Sequence, residues 1–382
     1  MSLGARLAIA AALVAGLVLF VGALAGGDPD PVPVAPEPNT SNEGANTQTV
    51  GAAAPAKAGV LDSSETCKTC HPAIYAEWES DRHSRAWVGK LYTEISQQHK
   101  DPNCWSCHAP RPILETGLES PAEARANFRE QGITCLSCHK MGNHVVGPRG
   151  GAEATPDCAP ECGPRFDEGF AREGAQEATI QFCGVCHGLH GTDQEFKGSK
   201  YFRAGKTCLS CHMAETNAPA TLGGPSRPRK VHRFTGGHSA AMLKRALAFT
   251  QRREKGDLVV RVTNEGAGHR VPTDARHRAI WVRVAFFDSF GQPVAVPDPN
   301  TNAAETEVSI DLIRLFYRHE QRDPTSIHPA GTLGEPNWRD SRIAVPAGAK
   351  GGSVRIRLWY CLRFGVPAET GTLIQEETVK VD

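Results

Sequence analysis

Hydrophobic and polar positions fall into three regimes along the 382 residues. After Arg6, residues 7–25 form one uncharged apolar run, long enough for a signal peptide or a membrane anchor, with Ala23-Leu24-Ala25 as an A-x-A cleavage site. Residues 27–60 have no hydrophobic period and are rich in Pro, Gly, Ala, Asn and Thr, which predicts a disordered linker. As a flexible coil it would reach about 30–35 Å from a membrane anchor. Helical patterns follow. The spacing predicts a helix over residues 72–87, a helix opened by the capping box Ser120-Pro121-Ala122-Glu123 and closed before Gly132, and a helix over residues 239–251. Beyond residue 251 the period changes to two. Leu258, Val260 and Val262 alternate with Val259, Arg261 and Thr263; Ile280, Val282, Val284 and Phe286 with Trp281, Arg283 and Ala285; Val354, Ile356, Leu358 and Tyr360 with Arg355, Arg357, Trp359 and Cys361. A last strand lies in residues 372–381. Such runs, separated by Gly- and Pro-containing turns, predict a C-terminal antiparallel β-sandwich over residues 251–382.

The region 61–250 is organised by a different signal, five Cys-x-x-Cys-His motifs. They are Cys67, Cys70 and His71; Cys104, Cys107 and His108; Cys135, Cys138 and His139; Cys183, Cys186 and His187; and Cys208, Cys211 and His212. This is the attachment signature of c-type haem: two thiols form thioethers to the porphyrin vinyl groups, which holds the adjacent imidazole against the iron. Zinc knuckles also use Cys-x-x-Cys, but they close one ion with four ligands and have no need for His after every second Cys. Here every pair carries the His, and the number of pairs is odd. So few residues per motif cannot build an ordinary side-chain core, so short helices and loops packed around the porphyrins are expected, and without haem this region should not fold.

Charge adds little: Lys plus Arg and Asp plus Glu are 42 each, so no basic excess points to nucleic acid. Five oxidised haems would make the loaded protein more acidic by roughly one charge each, which suits a redox partner with a basic face. Cys158 and Cys162 lack a following His and read as a local disulfide in a Gly- and Pro-rich loop rather than a sixth attachment site. Cys361, on the Arg-bearing side of its strand, is expected to be exposed or at a domain interface.

Ten of the fifteen histidines lie outside the motifs: His83, His99, His144, His190, His232, His238, His269, His277, His319 and His328. On a continuous helix, His71 and His83 stand about 18 Å apart and cannot share an iron, so His83 is a candidate distal ligand to a neighbouring haem. His144 and His190 follow their motif histidines too closely to pass around the same porphyrin, and would ligate another haem if any. His232 and His238 flank Arg-Phe-Thr-Gly-Gly, and His269 sits in a loop whose glycines allow close approach to a haem. His319 and His328 read as ordinary polar residues, and Met141, Met213 and Met242 have no stronger claim than the histidines. Predominantly bis-His ligation follows, with low reduction potentials.

The opening Cys67-Lys-Thr-Cys70-His71, then Trp78 and His83-Ser-Arg-Ala-Trp87, resembles the cytochrome c-554 type of multihaem cytochrome. In that family a Trp and a His recur after the first motif, and the His serves a second haem. Cys104 to His108 continuing as Ala-Pro-Arg-Pro-Ile, and His212 followed by Met213, resemble the wider set in which such motifs precede a β-domain. So does Gly268-His269-Arg-Val-Pro272-Thr273, although Asp274 stands where Gly usually follows the Thr. The resemblance spans residues 62–290 and implies electron transfer through closely packed c-haems, with room for one five-coordinate iron. Cytochrome c-554 itself has four haems and lacks the C-terminal region, so no particular partner carries over.

The expected protein is an exported pentahaem electron carrier that exchanges electrons with other redox proteins outside the cytoplasm. It is tethered to the membrane if residues 7–25 are retained. The alternative is a multihaem oxidoreductase acting on a small nitrogen or sulfur compound at one open haem. A third is a haem-bearing polymer in which a His of one chain ligates a haem of the next. No nucleophile–base pair, phosphate loop or carboxylate constellation marks the β-domain, whose expected role is to pack on the haem region and lend it His269.

Overall fold

In the computed structural model the described residues are 63–142, 144–145, 175–273, 277–299, 301–314, 316–318, 321–323, 326–332, 335–363 and 365–382. The leader, the linker, Cys158, Cys162 and His319 lie outside them. Ser63–Asp382 form one unit. No helix among the described residues is long and apolar enough to cross a membrane.

Short helices occupy the first part: α1 (Pro72–Glu79), α2 (Trp105–His108), α3 (Cys135–His139), α4 (Ala175–His187), α5 (Thr192–Lys197) and α6 (Cys208–His212). A hairpin of β1 (Glu215–Pro219) and β2 (Ser226–Lys230) leads through α7 (Ala240–Ala246) into β3 (Leu247–Glu254) and β4 (Asp257–Asn264). Then come β5 (Ala279–Phe287), β6 (Val308–Arg314), β7 (Trp338–Ala344), β8 (Ser353–Cys361) and β9 (Thr372–Lys380).

Two antiparallel sheets build the C-terminal part, one in the order β6-β5-β8-β9 with the short strand Pro293–Val294 added to β5, the other in the order β7-β4-β3. Alternate positions of both feed one hydrophobic cluster, with Phe249, Val260 and Val262 from one sheet and Ile280, Val282, Ile356 and Leu358 from the other. The Gln375 side chain ties β9 to β3 by accepting from the Phe249 N–H (2.9 Å) and donating to the Phe249 carbonyl (3.1 Å).

Local side-chain chemistry overrides several of the expected helices. The helix from Pro72 stops at Glu79, and the chain passes His83 in turns. There Asp81 Oδ1 accepts the His83 N–H at 2.9 Å, and Ser84 Oγ donates to the Glu79 and Asp81 carbonyls, competing with helical hydrogen bonds. The box at Ser120 opens no helix. Glu123 instead pairs with Arg111, and the backbone is extended, bridging Pro110 to Ala124, with Arg125 N–H donating to the Ala109 carbonyl. Ser239 does cap α7, accepting from the Met242 N–H at 3.3 Å, but the helix ends at Ala246. Leu247 and Phe249 are buried in alternation, and burial on the sheet wins over helical spacing. Cys361 is buried rather than exposed: the turn Ala368–Thr370 folds over the strand end, and Cys361 Sγ lies 3.5 Å from the Ala368 carbonyl.

Candidate functional site

Four of the five motif histidines, His108, His139, His187 and His212, end a helix, and the first motif crosses from a short helix at Glu65–Lys68 into a turn. Helical spacing puts the two sulfurs and the following imidazole on one face of a single turn. The hexapeptide Thr-Cys-Leu-Ser-Cys-His occurs at residues 134–139 and again at 207–212. In both, the Thr and the Ser form a reciprocal capping box that fixes the start of the turn. Thr134 N donates to Ser137 Oγ at 3.1 Å, and Ser137 N to Thr134 Oγ1 at 3.2 Å.

What the rings touch sets their tautomer. His71 Nδ1 lies 2.6 Å from the Ala220 carbonyl, His108 Nδ1 2.7 Å from that of Ala86, and His212 Nδ1 2.5 Å from that of Thr235. Outside the motifs, His269 Nδ1 lies 2.9 Å from the Arg270 carbonyl and His232 Nδ1 3.2 Å from that of Lys230. A carbonyl only accepts, so Nδ1 carries the proton and Nε2 keeps its lone pair, which is the arrangement of a metal-ligating histidine. Burial, followed by the charge of His139, pushes the His232 imidazole down to about 4, so it stays neutral and able to donate that lone pair.

Three motif imidazoles each face one of the other histidines. Ring centroids are 6.3 Å apart for His187 and His83, 6.1 Å for His139 and His232, and 6.1 Å for His212 and His269. Metal–nitrogen bonds of about 2 Å, with roughly 1.2 Å from each nitrogen to its ring centre, put imidazoles on opposite sides of one metal about 6.4 Å apart. The three spacings fit a single ion between each pair. His83 thus lies opposite the fourth motif, His232 opposite the third and His269 opposite the fifth.

Other candidates are placed differently. His144 pairs through its backbone with Met141 in a two-residue bridge, and its side chain lies outside the described residues. His190 ends the turn Gly188–His190 directly behind the fourth motif. His99 stacks on Trp87 at 4.6 Å, and Gln97, Gln98 and His99 all have positive φ. His238 is exposed and lies in the field of Arg82 and Arg278. His328 contacts Glu335 at 3.6 Å.

The sulfurs connect the motifs. Cys67 and Cys135 share a hydrogen bond, Cys183 and Cys208 share another, and Cys138 lies close enough to Cys183 to act on its charge. In a loaded protein these atoms are thioether sulfurs at the porphyrin edge, so their positions matter and their titration does not. Among the described residues no three His, Cys, Asp or Glu side chains converge on a metal-sized site. That arrangement does not suit zinc knuckles.

Residues and group fit in a second respect. Among the described residues the hydrophobic cluster begins at Leu243, and those of 63–242 add nothing to it. Their buried apolar side chains, among them Trp78, Tyr92, Leu136 and Ile180, are scattered around the motifs. Large apolar cofactors attached at the motifs would supply such an interior.

Several contributors have no sequence signature. Tyr92 stacks on His108 at 3.9 Å, and Arg129 lies 4.3 Å above the Trp105 ring. Glu77 accepts the His232 N–H at 2.9 Å, and Glu195 accepts the Arg270 N–H at 3.0 Å. The apolar neighbours of a motif give a weak hint of the first two, but nothing in residue spacing announces the carboxylates.

Residues 66–140 match the family model of cytochrome c554 and c-prime. The crystal structure of a penta-heme cytochrome c552 from Thermochromatium tepidum superposes with a TM-score of 0.52 at 22% identity, covering 83% of this chain and 99% of that one. That likeness is one of fold. A superoxide reductase in the oxidised state aligns with 36% of this chain and 88% of its own at 10% identity, and its TM-score of 0.18 carries no argument. No curated protein sequence matches the chain. The chain is thus similar to multihaem c-type cytochromes, in sequence to the cytochrome c554 and c-prime family over residues 66–140 and in fold to the penta-heme cytochrome c552.

Proposed function

We propose that the protein is an exported pentahaem cytochrome that relays electrons between redox partners. The observation that carries this reading is the set of three opposed imidazole pairs, whose motifs are linked through neighbouring sulfurs. Bound haem supplies a one-electron Fe(III)/Fe(II) couple at each motif. At the third, fourth and fifth motifs the iron would be held by His139 and His232, by His187 and His83, and by His212 and His269. His71 and His108 are the proximal ligands at the other two.

Cys67 paired with Cys135 and Cys183 with Cys208, with Cys138 within electrostatic reach of Cys183, would put the haems in the order first, third, fourth, fifth. The second motif joins through Ala86, whose carbonyl holds His108 and whose N–H donates to the His83 carbonyl at 3.2 Å. The penta-heme name of the similar c552 supports the number of cofactors. The two sheets, read as a sandwich, hold the loop that presents His269. Residues 7–25 are the export signal or anchor, and residues 27–60 the linker.

The test is stoichiometric. Holoprotein fully reduced with dithionite and freed of excess donor should pass five electrons per chain to ferricyanide. A value of four or fewer would overturn the pentahaem reading.

A further inference from the structure

Each of the three opposed histidines outside the motifs is fixed by a carboxylate that accepts a backbone N–H at the ligand or at the next residue. Glu77 takes the N–H of His232, Glu195 that of Arg270, and Asp81 that of His83, at 2.9, 3.0 and 2.9 Å. Two of these carboxylates face a guanidinium. Glu77 receives two hydrogen bonds from Arg229 at 2.7 and 2.9 Å, and Glu195 lies 3.7 Å from Arg270 Nε. Asp81 differs. Its side chain is 6% exposed and lies 3.4 Å from His83 Nδ1, and the guanidinium of the adjacent Arg82 acts on it by charge without a hydrogen bond. Its other oxygen accepts the Phe234 N–H at 2.9 Å, which brings the Phe234 ring edge-on to His83 at 4.3 Å. One aspartate therefore fixes the imidazole from two sides.

We propose that Asp81 is a positioning residue that orients His83 and, through a negative charge that no guanidinium hydrogen-bonds among the described residues, sets the haem of the fourth motif to a lower potential than those of the third and fifth. This rests on the reading that His83 and His187 ligate one iron. A carboxylate at the outer nitrogen of an axial histidine raises the ligand's basicity and favours the more positive metal. A buried charge acts in the same direction, with little screening. Where Arg229 or Arg270 cancels the carboxylate, the effect is smaller. In the order drawn from the sulfurs the fourth motif lies between the third and the fifth, so Asp81 would place the lowest potential inside the relay.

The experiment is a spectroelectrochemical titration of the holoprotein, with low-temperature EPR, for the wild type and for Asp81→Asn, Asp81→Glu, Arg82→Gln and His83→Ala. His83→Ala identifies the haem concerned as the one that turns high-spin. If none does, the ligand reading has failed, whatever the aspartate does. In the wild type that haem should have the lowest potential of the three. Asp81→Asn should move it to more positive potential with its low-spin signal kept, and Asp81→Glu should restore most of the shift. An unchanged potential in Asp81→Asn, or equal shifts in the Asn and Glu variants, overturns the proposal. Should Asp81→Asn yield no holoprotein, Arg82→Gln removes a positive charge that acts on Asp81 and must move the same haem to more negative potential. No movement there overturns the proposal as well.

Discussion

Made where haem cannot be attached, the chain will leave the described residues around its motifs, 63–142 and 175–235, unfolded while the two C-terminal sheets keep their hydrogen bonds. The sheets share one continuous cluster running from Leu243 to Val381. The motif region has isolated buried side chains such as Tyr75, Trp78, Ile113, Leu136, Ile180 and Phe196. Each gives about 2 kcal/mol on burial, while every residue ordered costs roughly 1–2 kcal/mol of backbone entropy. So sparse an interior cannot offset that cost without the porphyrins. Hydrogen exchange by mass spectrometry on the haem-free chain should show protection in β3 to β9 and none around the motifs. Protection of α4 and α6 in that material would contradict the expectation.

The second large effect is expected at Glu77. Its carboxylate is 15% exposed and the Arg229 guanidinium 9%. Burial opposes the charged form, but the Arg229 hydrogen bonds and the His232 N–H outweigh it and hold the carboxyl below its usual range. Glu77→Ala strands a buried guanidinium, which costs about 3–5 kcal/mol, and also releases the backbone at His232. The holoprotein should unfold at a markedly lower denaturant concentration, with part of the third haem turned high-spin. Stability within about 1 kcal/mol of wild type would show that Arg229 finds another partner or water.

The motifs were legible because their chemistry is local: two thiols and an imidazole on one helical turn need adjacent positions. The strands at Leu258, Ile280 and Val354 were legible for the same reason, since burial on a sheet imposes a period of two. The pairing of distal residues was not. His83 is opposed to His187, and His269 to His212, through turns whose course depends on Asp81 and Glu195 accepting N–H groups. The misread helices fail in the same way. Glu123 had a nearer partner in Arg111 than its own helix end, and Leu247 and Phe249 had a sheet to pack on. Cys361 escaped strand alternation because a later turn, Ala368–Thr370, covers it.

The reading proposed above is that this chain closes the haems of its third, fourth and fifth motifs on both faces with its own histidines. Low-temperature EPR with spin quantitation on the fully oxidised holoprotein tests it most directly. The account predicts five ferric spins per chain, at least three of them low-spin, corresponding to the three opposed imidazole pairs. Fewer than three low-spin haems would contradict it.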